Sequence, residues 1–151
     1  MAIEGISIIV TGGCGNVGTA IVKHLQEQYP TATSTVLDLE KPEVSSSRFI
    51  EKVIYYAGNI ADKASVNEVF ETLGPVVVFH TTGLIPQIAR RINMNNDKDH
   101  IKVNVQDTRN VFDAATAVVS VRALVFTSSI GNGDSGQDWA GVNESIAIPE
   151  M

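Results

Sequence analysis

The stretch Val10-Thr11-Gly12-Gly13-Cys14-Gly15-Asn16-Val17-Gly18 decides the fold of this 151-residue chain. It follows a short apolar run at residues 6–10 and opens a helical pattern. In that context Gly12 permits the tight turn from strand to helix, Gly15 lets backbone N–H groups approach an anion, and Gly18 lets the helix pack close to the strand. The positive end of the helix dipole faces the same anion. The pattern therefore predicts a dinucleotide site, because the alternative, a purely structural turn, would not need three glycines at this spacing.

An acidic residue, Asp38, lies twenty positions after Gly18, at the end of the second predicted strand. A carboxylate at that point accepts hydrogen bonds from the adenosine ribose hydroxyls. It favours NAD over NADP, because it would repel a 2′-phosphate and residues 38–42 contain no arginine. Lys41 is a nearby cation, which keeps NADP as the alternative.

Strand and helix patterns alternate along the chain. Strands are predicted at residues 6–11, 34–39, 49–57, 76–79 and 122–127, helices at residues 17–28, 62–73 and 98–119, and loops at residues 41–47, 83–97 and 131–141. The alternation predicts an α/β fold: a doubly wound parallel sheet (Rossmann fold) of about five strands in the order 3-2-1-4-5, in one domain over residues 1–151. Its ligand crevice should lie at the carboxyl ends of strands one and four.

The end of the fourth predicted strand, His80-Thr81-Thr82-Gly83, falls at this crevice. Small residues there leave room for the ribose and nicotinamide, so His80, Thr81 and Thr82 are candidate cofactor-binding residues. For His80 the more common alternative is a core histidine. The histidines are too widely separated for a metal site. Cys14 is interpreted as a small apolar residue of the turn, with a reactive thiol as the alternative.

Composition and charge limit the classes of partner. The chain is 44% hydrophobic and 19% charged, with a net charge of −6. An acidic chain without basic clusters argues against nucleic acid as a partner, because phosphate backbones select clustered Lys and Arg. The single cysteine cannot form an internal disulfide, and no stretch reaches the roughly 18 consecutive apolar residues of a membrane span. We expect a cytoplasmic protein, with membrane association through a further C-terminal part left open.

Several other segments, together with the glycine turn and Asp38, are similar to a known family. They are Gly58-Asn59-Ile60, Val78-Phe79-His80, Asn104-Val105 with Thr108, Asn110 and Val111, Leu124-Val125-Phe126-Thr127-Ser128-Ser129, and Asn143-Glu144-Ser145 with Ile148-Pro149-Glu150. In their order and spacing the chain resembles the extended short-chain dehydrogenase/reductase superfamily. Within it, the chain most resembles the 3β-hydroxysteroid dehydrogenase/isomerase family, and there the sterol-4α-carboxylate dehydrogenases.

This resemblance implies an oxidoreductase that uses NAD to oxidise a CH–OH group of a sterol or similar polycyclic substrate. The site residues that it implies are Gly12, Gly15 and Gly18 with Asn16 and Val17 for the pyrophosphate, Asp38 for the adenosine ribose, Asn59 and Ile60 for the adenine, and Ser129 as the catalytic serine. The usual aspartate after Gly58 is Asn59 in this chain, which weakens the expected recognition of adenine.

The family's Tyr-x-x-x-Lys motif does not occur in the chain, because none of Tyr29, Tyr55 and Tyr56 has a lysine four residues later. In the family this tyrosine is the base and follows shortly after a segment like residues 148–150. The resemblance therefore implies a sequence truncated before the motif, with nucleotide binding but little or no turnover. The alternative is a non-catalytic dinucleotide-binding regulator or subunit. In either case the fifth strand is expected to be an open sheet edge that favours self-association or a covering partner chain.

Overall fold

The computed structural model of the protein describes residues 5–84 and 98–128. Strands and helices alternate through most of this part of the chain. They are β1 (Ser7–Thr11), α1 (Asn16–Gln28), β2 (Thr33–Asp38), β3 (Ile54–Ala57), α2 (Lys63–Leu73), β4 (Val77–His80), α3 (Lys98–Ile101), a π-helical turn (Lys102–Asp107), α4 (Thr108–Ala117) and β5 (Ala123–Phe126). The predicted loop at residues 131–141 and most of the one at residues 83–97 lie outside the described residues.

The five strands form one parallel sheet in the order β3-β2-β1-β4-β5. This confirms the predicted α/β class and the predicted strand order. β1 lies in the centre, so that Thr11 at its end is beside Leu37 of β2 and His80 of β4. The carboxyl ends of these three strands meet at one edge of the sheet, which is where open parallel sheets bind ligands.

Two hydrophobic clusters lie on opposite faces of the sheet. Ile8 and Val10 of β1 pack with Val22 of α1 in one cluster. Ile9 packs in the other cluster, with Phe70 of α2 among its members. Because successive side chains of a strand point to opposite faces, a central strand covered on both sides reads as an uninterrupted apolar run.

The third strand is shorter than predicted. Only Ile54–Ala57 pairs with β2, whereas the expectation was a strand over residues 49–57. The residues before Ile54 form turns, and Lys52 adopts a left-handed φ of 67°, which a strand cannot accommodate. Phe49 nevertheless stacks on Tyr55, with 5.8 Å between ring centroids. The apolar pattern therefore correctly indicated side chains that pack partly buried against the core, but a loop carries them.

The helix predicted at residues 98–119 is interrupted and ends earlier. Its middle, Lys102–Asp107, is a π-helical turn between α3 and α4. The helix ends at Ala117 because Val118 is extended, and Ser120 donates a hydrogen bond to the Pro75 carbonyl at 3.0 Å. The N-cap of α2 is Asp62, whose carboxylate accepts from the amides of Ala64 and Ser65.

Across residues 5–84 and 98–128, no helix combines the length and the apolar character needed to cross a membrane.

Candidate functional site

The glycine turn between β1 and α1 uses its glycines for different purposes. Gly12 has a φ of +73°, and a Cβ there would lie 2.7 Å from the amide nitrogen of Thr82. A Cβ on Gly18 would lie 2.3 Å from the carbonyl oxygen of Gly12. Within the described residues, a Cβ on Gly15 would meet only that same oxygen, at 3.2 Å. Backbone atoms of the protein thus exclude side chains at Gly12 and Gly18, whereas Gly15 leaves space at the start of the helix.

Gly13 is a third glycine of this turn at which a side chain does not fit, and its role was not predicted from the sequence. A Cβ there would lie 2.5 Å from a methyl group of Val36 on β2. The Gly12-Gly13 pair is visible in the sequence, but the side chain that leaves no room for a Cβ at Gly13 belongs to β2, another strand. Gly13 therefore allows the turn to pack closely over β2.

The amino end of α1 is open toward the crevice. The helix begins at Asn16, and its N-cap is Gly15, so no side chain caps the first turn. The first amides of a helix have no partner within the helix and carry its positive dipole end. Asn16 and Val17 are both exposed, Val17 by 56%. Among the described residues, no side chain therefore caps the predicted anion-binding end of the helix.

Asp38 is fixed beside this turn by two backbone hydrogen bonds. One carboxylate oxygen accepts from the amide of Cys14 at 2.9 Å, and the other accepts from the amide of Leu39 at 2.8 Å. Each oxygen of an ionised carboxylate keeps capacity for a further donor. The carboxylate is thus held in one orientation, with acceptor sites left for hydroxyl groups.

These residues line a crevice of about 580 Å³ at the carboxyl edge of the sheet, a size typical of small-molecule sites. Of the residues predicted for the cofactor, it brings together Gly12, Gly15, Asp38, Asn59, Ile60, Thr81 and Thr82. Asn16, Val17 and Gly18 belong to α1, the helix that starts beside the crevice. The predicted catalytic serine, Ser129, lies outside the described residues.

The wall formed by Asn59 and Ile60 is held from two sides. The side-chain oxygen of Asn59 accepts from the amide of Ala61 at 2.9 Å, which closes a local turn. Asn110 on α4 donates from its side-chain nitrogen to the carbonyl of Ile60 at 2.9 Å. Ile60 itself is 5% exposed and packs into the core. The polypeptide at this wall is therefore rigidly positioned.

The opposite wall is built from Thr81, Thr82 and the residues after them. The Thr81 hydroxyl donates to the carbonyls of Thr11 at 2.8 Å and Gly12 at 3.1 Å, which ties the end of β4 to the glycine turn. Asn104 forms two hydrogen bonds with the backbone of Leu84, at 2.7 and 2.9 Å. Asn104 therefore holds the backbone after β4 in place.

His80 lies beneath the crevice, not in its wall. Its ring is fully buried, and its two nitrogens are hydrogen-bonded to the hydroxyls of Thr11 and Thr108. Burial lowers the pKa of His80 to about 4, so the ring is neutral at physiological pH. Of the two roles left open for His80, the structure supports the core histidine. Its side chain is not among the crevice-lining groups.

The thiol of Cys14 is protonated in this environment. Burial, followed by the charge of Asp38, raises its pKa to about 11. Its Sγ approaches the carbonyl of Glu40 at 3.5 Å. The structure therefore supports a structural role for Cys14 and not a nucleophilic one.

The crevice also contains charged residues whose place there was not predicted from the sequence. Asp107, 5% exposed, is ion-paired with Lys102 at 2.9 Å, and Arg48 lines the adjoining wall. Side chains three or four apart meet on an α-helix, whereas the π-helical turn brings together residues five apart. The Lys102–Asp107 ion pair could not be predicted from the sequence, because the π-helical turn that brings the two residues together was not predicted.

Comparison with known proteins places the chain in a family. Residues 9–151 match the 3-beta hydroxysteroid dehydrogenase/isomerase family. A sterol-4-alpha-carboxylate 3-dehydrogenase (decarboxylating) from Schizosaccharomyces pombe is 32% identical over 145 residues, which cover 96% of this chain and 40% of the relative. The mouse 3 beta-hydroxysteroid dehydrogenase type 7 is 32% identical over 127 residues, covering 81% of this chain and 32% of the relative.

The fold has counterparts among solved structures. The UDP-glucose 4-epimerase from Brucella ovis, solved in complex with NAD, superposes with a TM-score of 0.77 at 21% identity, over 97% of this chain and 42% of the epimerase. At this identity the likeness concerns the fold alone. The chain thus spans about 40% of the length of its first curated relatives. From the match over residues 9–151, the chain belongs to the 3-beta hydroxysteroid dehydrogenase/isomerase family.

Proposed function

We propose that the crevice at the carboxyl ends of β1, β2 and β4 binds NAD. The observation that carries this proposal is the pairing of the uncapped helix at Gly15 with the carboxylate of Asp38, which the Cys14 amide holds in place. Helix amides suit a pyrophosphate, and a fixed carboxylate suits the two hydroxyls of a ribose. Family membership and the NAD complex of the Brucella ovis epimerase support the same ligand.

In this proposal each wall of the crevice receives one part of the dinucleotide. The pyrophosphate lies at Gly12, Gly15 and the first turn of α1, and the adenosine ribose at Asp38. The adenine lies against Asn59 and Ile60, where the side-chain oxygen of Asn59 already accepts from the Ala61 amide. The ribose and nicotinamide lie at the wall formed by Thr81 and Thr82. His80 acts from below, by fixing Thr11 through a buried hydrogen bond.

We further propose that the reaction class is oxidation of a CH–OH group on a sterol or similar polycyclic substrate. Bound NAD would supply the hydride acceptor. The proposal draws on the family and on the relatives, which are named as sterol and steroid dehydrogenases. Ser129 would hydrogen-bond the substrate oxygen. Because the sequence contains no Tyr-x-x-x-Lys, and a positioned base contributes typically 10²–10⁴-fold, we expect this chain to bind NAD with little or no turnover.

Calorimetric titration with NAD tests the cofactor proposal. We expect saturable binding to the chain, weakened about tenfold or more by Asp38→Ala, because hydrogen bonds from ribose hydroxyls to a charged acceptor are lost. Glu43→Ala is the matched control: it removes an exposed carboxylate that lies after the same strand but does not line the crevice. Absence of NAD binding, or an equal effect of the two substitutions, would contradict the proposal.

Turnover is tested separately, by following the absorbance of reduced nicotinamide when a 3β-hydroxysteroid is added to the NAD-loaded chain. Nucleotide binding without detectable reduction is the expected result. Sustained reduction at rates typical of dehydrogenases would show that another group acts as the base, and would overturn the expected lack of turnover.

A further inference from the structure

Arg48 is a cation that lines the adenosine side of the crevice, together with Asp38, Leu39 and Glu40. Among the described residues its guanidinium forms no hydrogen bond and no ion pair. The other lining cation, Lys102, is engaged by both oxygens of Asp107, at 3.1 and 2.9 Å. In the described part of the crevice wall, Arg48 is therefore the cation that stands unpaired.

The backbone at Arg48 is held in position. Its amide donates to the Ser46 hydroxyl at 3.2 Å, and its carbonyl accepts from the Tyr55 hydroxyl at 3.4 Å. Tyr55 belongs to β3, and its ring is stacked on the ring of Phe49, the residue that follows Arg48. The loop that carries Arg48 is thus fastened to the sheet beside the crevice.

The charges of Arg48 and Asp38 both affect Cys14 in the glycine turn. The charge of Arg48 lowers the pKa of the Cys14 thiol, while burial and the carboxylate of Asp38 raise it. Two groups of opposite charge thus lie within electrostatic range of Cys14, whose amide is bonded to Asp38. The remaining charged group at this end is the carboxylate of Glu40.

These two charges have opposite effects on the 2′ position of an adenosine ribose. A carboxylate accepts a hydrogen bond from a 2′-hydroxyl and repels a 2′-phosphate, whereas a guanidinium matches the geometry and charge of a phosphate. The site therefore holds the recognition group for NAD and, beside it, the cation that NADP requires.

We propose that Arg48 is a second selectivity residue at the adenosine ribose, whose charge favours a 2′-phosphate while the carboxylate of Asp38 opposes it. This inference rests on the proposed function of the crevice. The sequence pointed to Lys41 as the nearby cation, but Lys41 does not line the crevice. Removing the charge of Asp38 should therefore give a site that accepts a 2′-phosphate through Arg48.

The experiment compares NAD and NADP affinity, by calorimetric titration, in the full chain and three variants: Asp38→Asn, Asp38→Asn with Arg48→Gln, and Asp38→Asn with Lys41→Gln. Asparagine keeps the size of Asp38 and an oxygen for the Cys14 amide. We expect Asp38→Asn to bind NADP about tenfold or more tightly than the parent chain does, since the repulsion is replaced by a charge-assisted contact. Arg48→Gln should abolish the gain, and Lys41→Gln, which also removes one cation, should retain it.

Two results would overturn the inference: no gain in NADP affinity with Asp38→Asn, or a gain that survives Arg48→Gln. Binding of NAD to the parent chain reports on the proposed function independently. If the parent binds NAD and the NADP gain does not depend on Arg48, only the present inference fails. If neither nucleotide binds to any of the folded proteins, both proposals fail. Circular dichroism of each variant establishes that it is folded.

Discussion

At the scale of single residues, burial makes the neutral ring of His80 part of the folded state. Thr108 donates its hydroxyl hydrogen to the Val103 carbonyl at 3.2 Å, so its oxygen is free to accept from the ring. This leaves the other ring nitrogen to accept from Thr11. The same ring stacks on Phe126 with 5.6 Å between centroids. A proton added to His80 would disturb both the hydrogen bonds and the packing.

His80 should make the protein sensitive to acid. Its folded-state pKa of about 4 lies below the ordinary value of 6.5, so the unfolded chain takes up the proton first as the pH falls. His80 therefore has no effect on the pH dependence of the free energy of unfolding above pH 6.5. Between pH 6.5 and 4 it lowers this free energy by up to about 3 kcal/mol. Urea unfolding at several pH values measures this loss. His80→Gln, which does not titrate, should show a shallower decline; identical declines would contradict the assignment.

Cys14 should react slowly with thiol reagents, because its pKa of about 11 leaves little thiolate near pH 8. Burial is the largest cause and the charge of Asp38 the next. Asp38→Asn should therefore accelerate labelling by a disulfide reagent, whereas Glu43→Ala should leave the rate unchanged. A fast parent reaction that is indifferent to Asp38 would show that the thiol is not held in this environment.

Individual site residues differed in how far the sequence could predict them. Asp38 follows from the fixed length of a strand–helix–strand unit, which brings the end of β2 to the glycine turn. Arg48 could not be found in this way, because its position depends on the path of the loop before β3 and on its bond to Tyr55. The position of Asp107 depends on a π-helical turn, which hydrophobic periodicity does not predict.

At the scale of secondary-structure elements, different glycines of the turn from β1 to α1 serve ligand binding and folding. In the part of the chain that the structure describes, a methyl group on Gly15 would meet one atom closer than 4 Å, whereas one on Gly18 would overlap the Gly12 carbonyl. The backbone at Gly15, with φ −74° and ψ 172°, is accessible to alanine. The two positions therefore form a matched pair for mutation.

We expect Gly15→Ala to leave the free energy of unfolding nearly unchanged and to weaken NAD binding about tenfold or more, since the methyl group stands where the phosphates approach. Gly18→Ala should destabilise the protein by about 1–3 kcal/mol, because the backbone must shift to admit the methyl group. Denaturant unfolding and NAD titration of both variants check this. Equal stability losses with equal binding would contradict the division of roles.

Hydrophobic periodicity predicted elements where burial and backbone pairing coincide, as in β1, α1 and α2. It could not predict the start of β3, because periodicity reports which side chains are buried and not which amides pair. Ile50 and Val53 pack against the core from turns. The helix after residue 98 was predicted as continuous for a similar reason: a π-helical turn keeps the residues helical but shifts their register by one.

At the scale of the whole molecule, the strand order was predictable because alternating strands and helices with right-handed crossovers leave few topologies. The crevice followed from that order. What covers the sheet edge was not predictable. In the described part of the chain β5 is an edge strand, and Val125 and Phe126 are each 45% exposed.

We expect this edge to promote association, because an uncovered strand offers unpaired backbone groups beside apolar side chains. Sedimentation velocity should show a mean mass that rises with protein concentration. Val125→Lys should reduce that rise, while Val44→Lys, which replaces an exposed valine away from the sheet, should not. A monomer at all concentrations would contradict the expectation.

The central position of β1 also has a consequence for biosynthesis. The ribosome makes this strand before both of its partners, which begin only at residues 33 and 77. At about 5–20 residues per second, Ile8, Ile9 and Val10 wait for several seconds before both neighbours have been translated. During that interval the nascent chain presents these three apolar residues without their strand partners. Chaperone capture at the tunnel exit should therefore begin with β1 and end when β4 emerges.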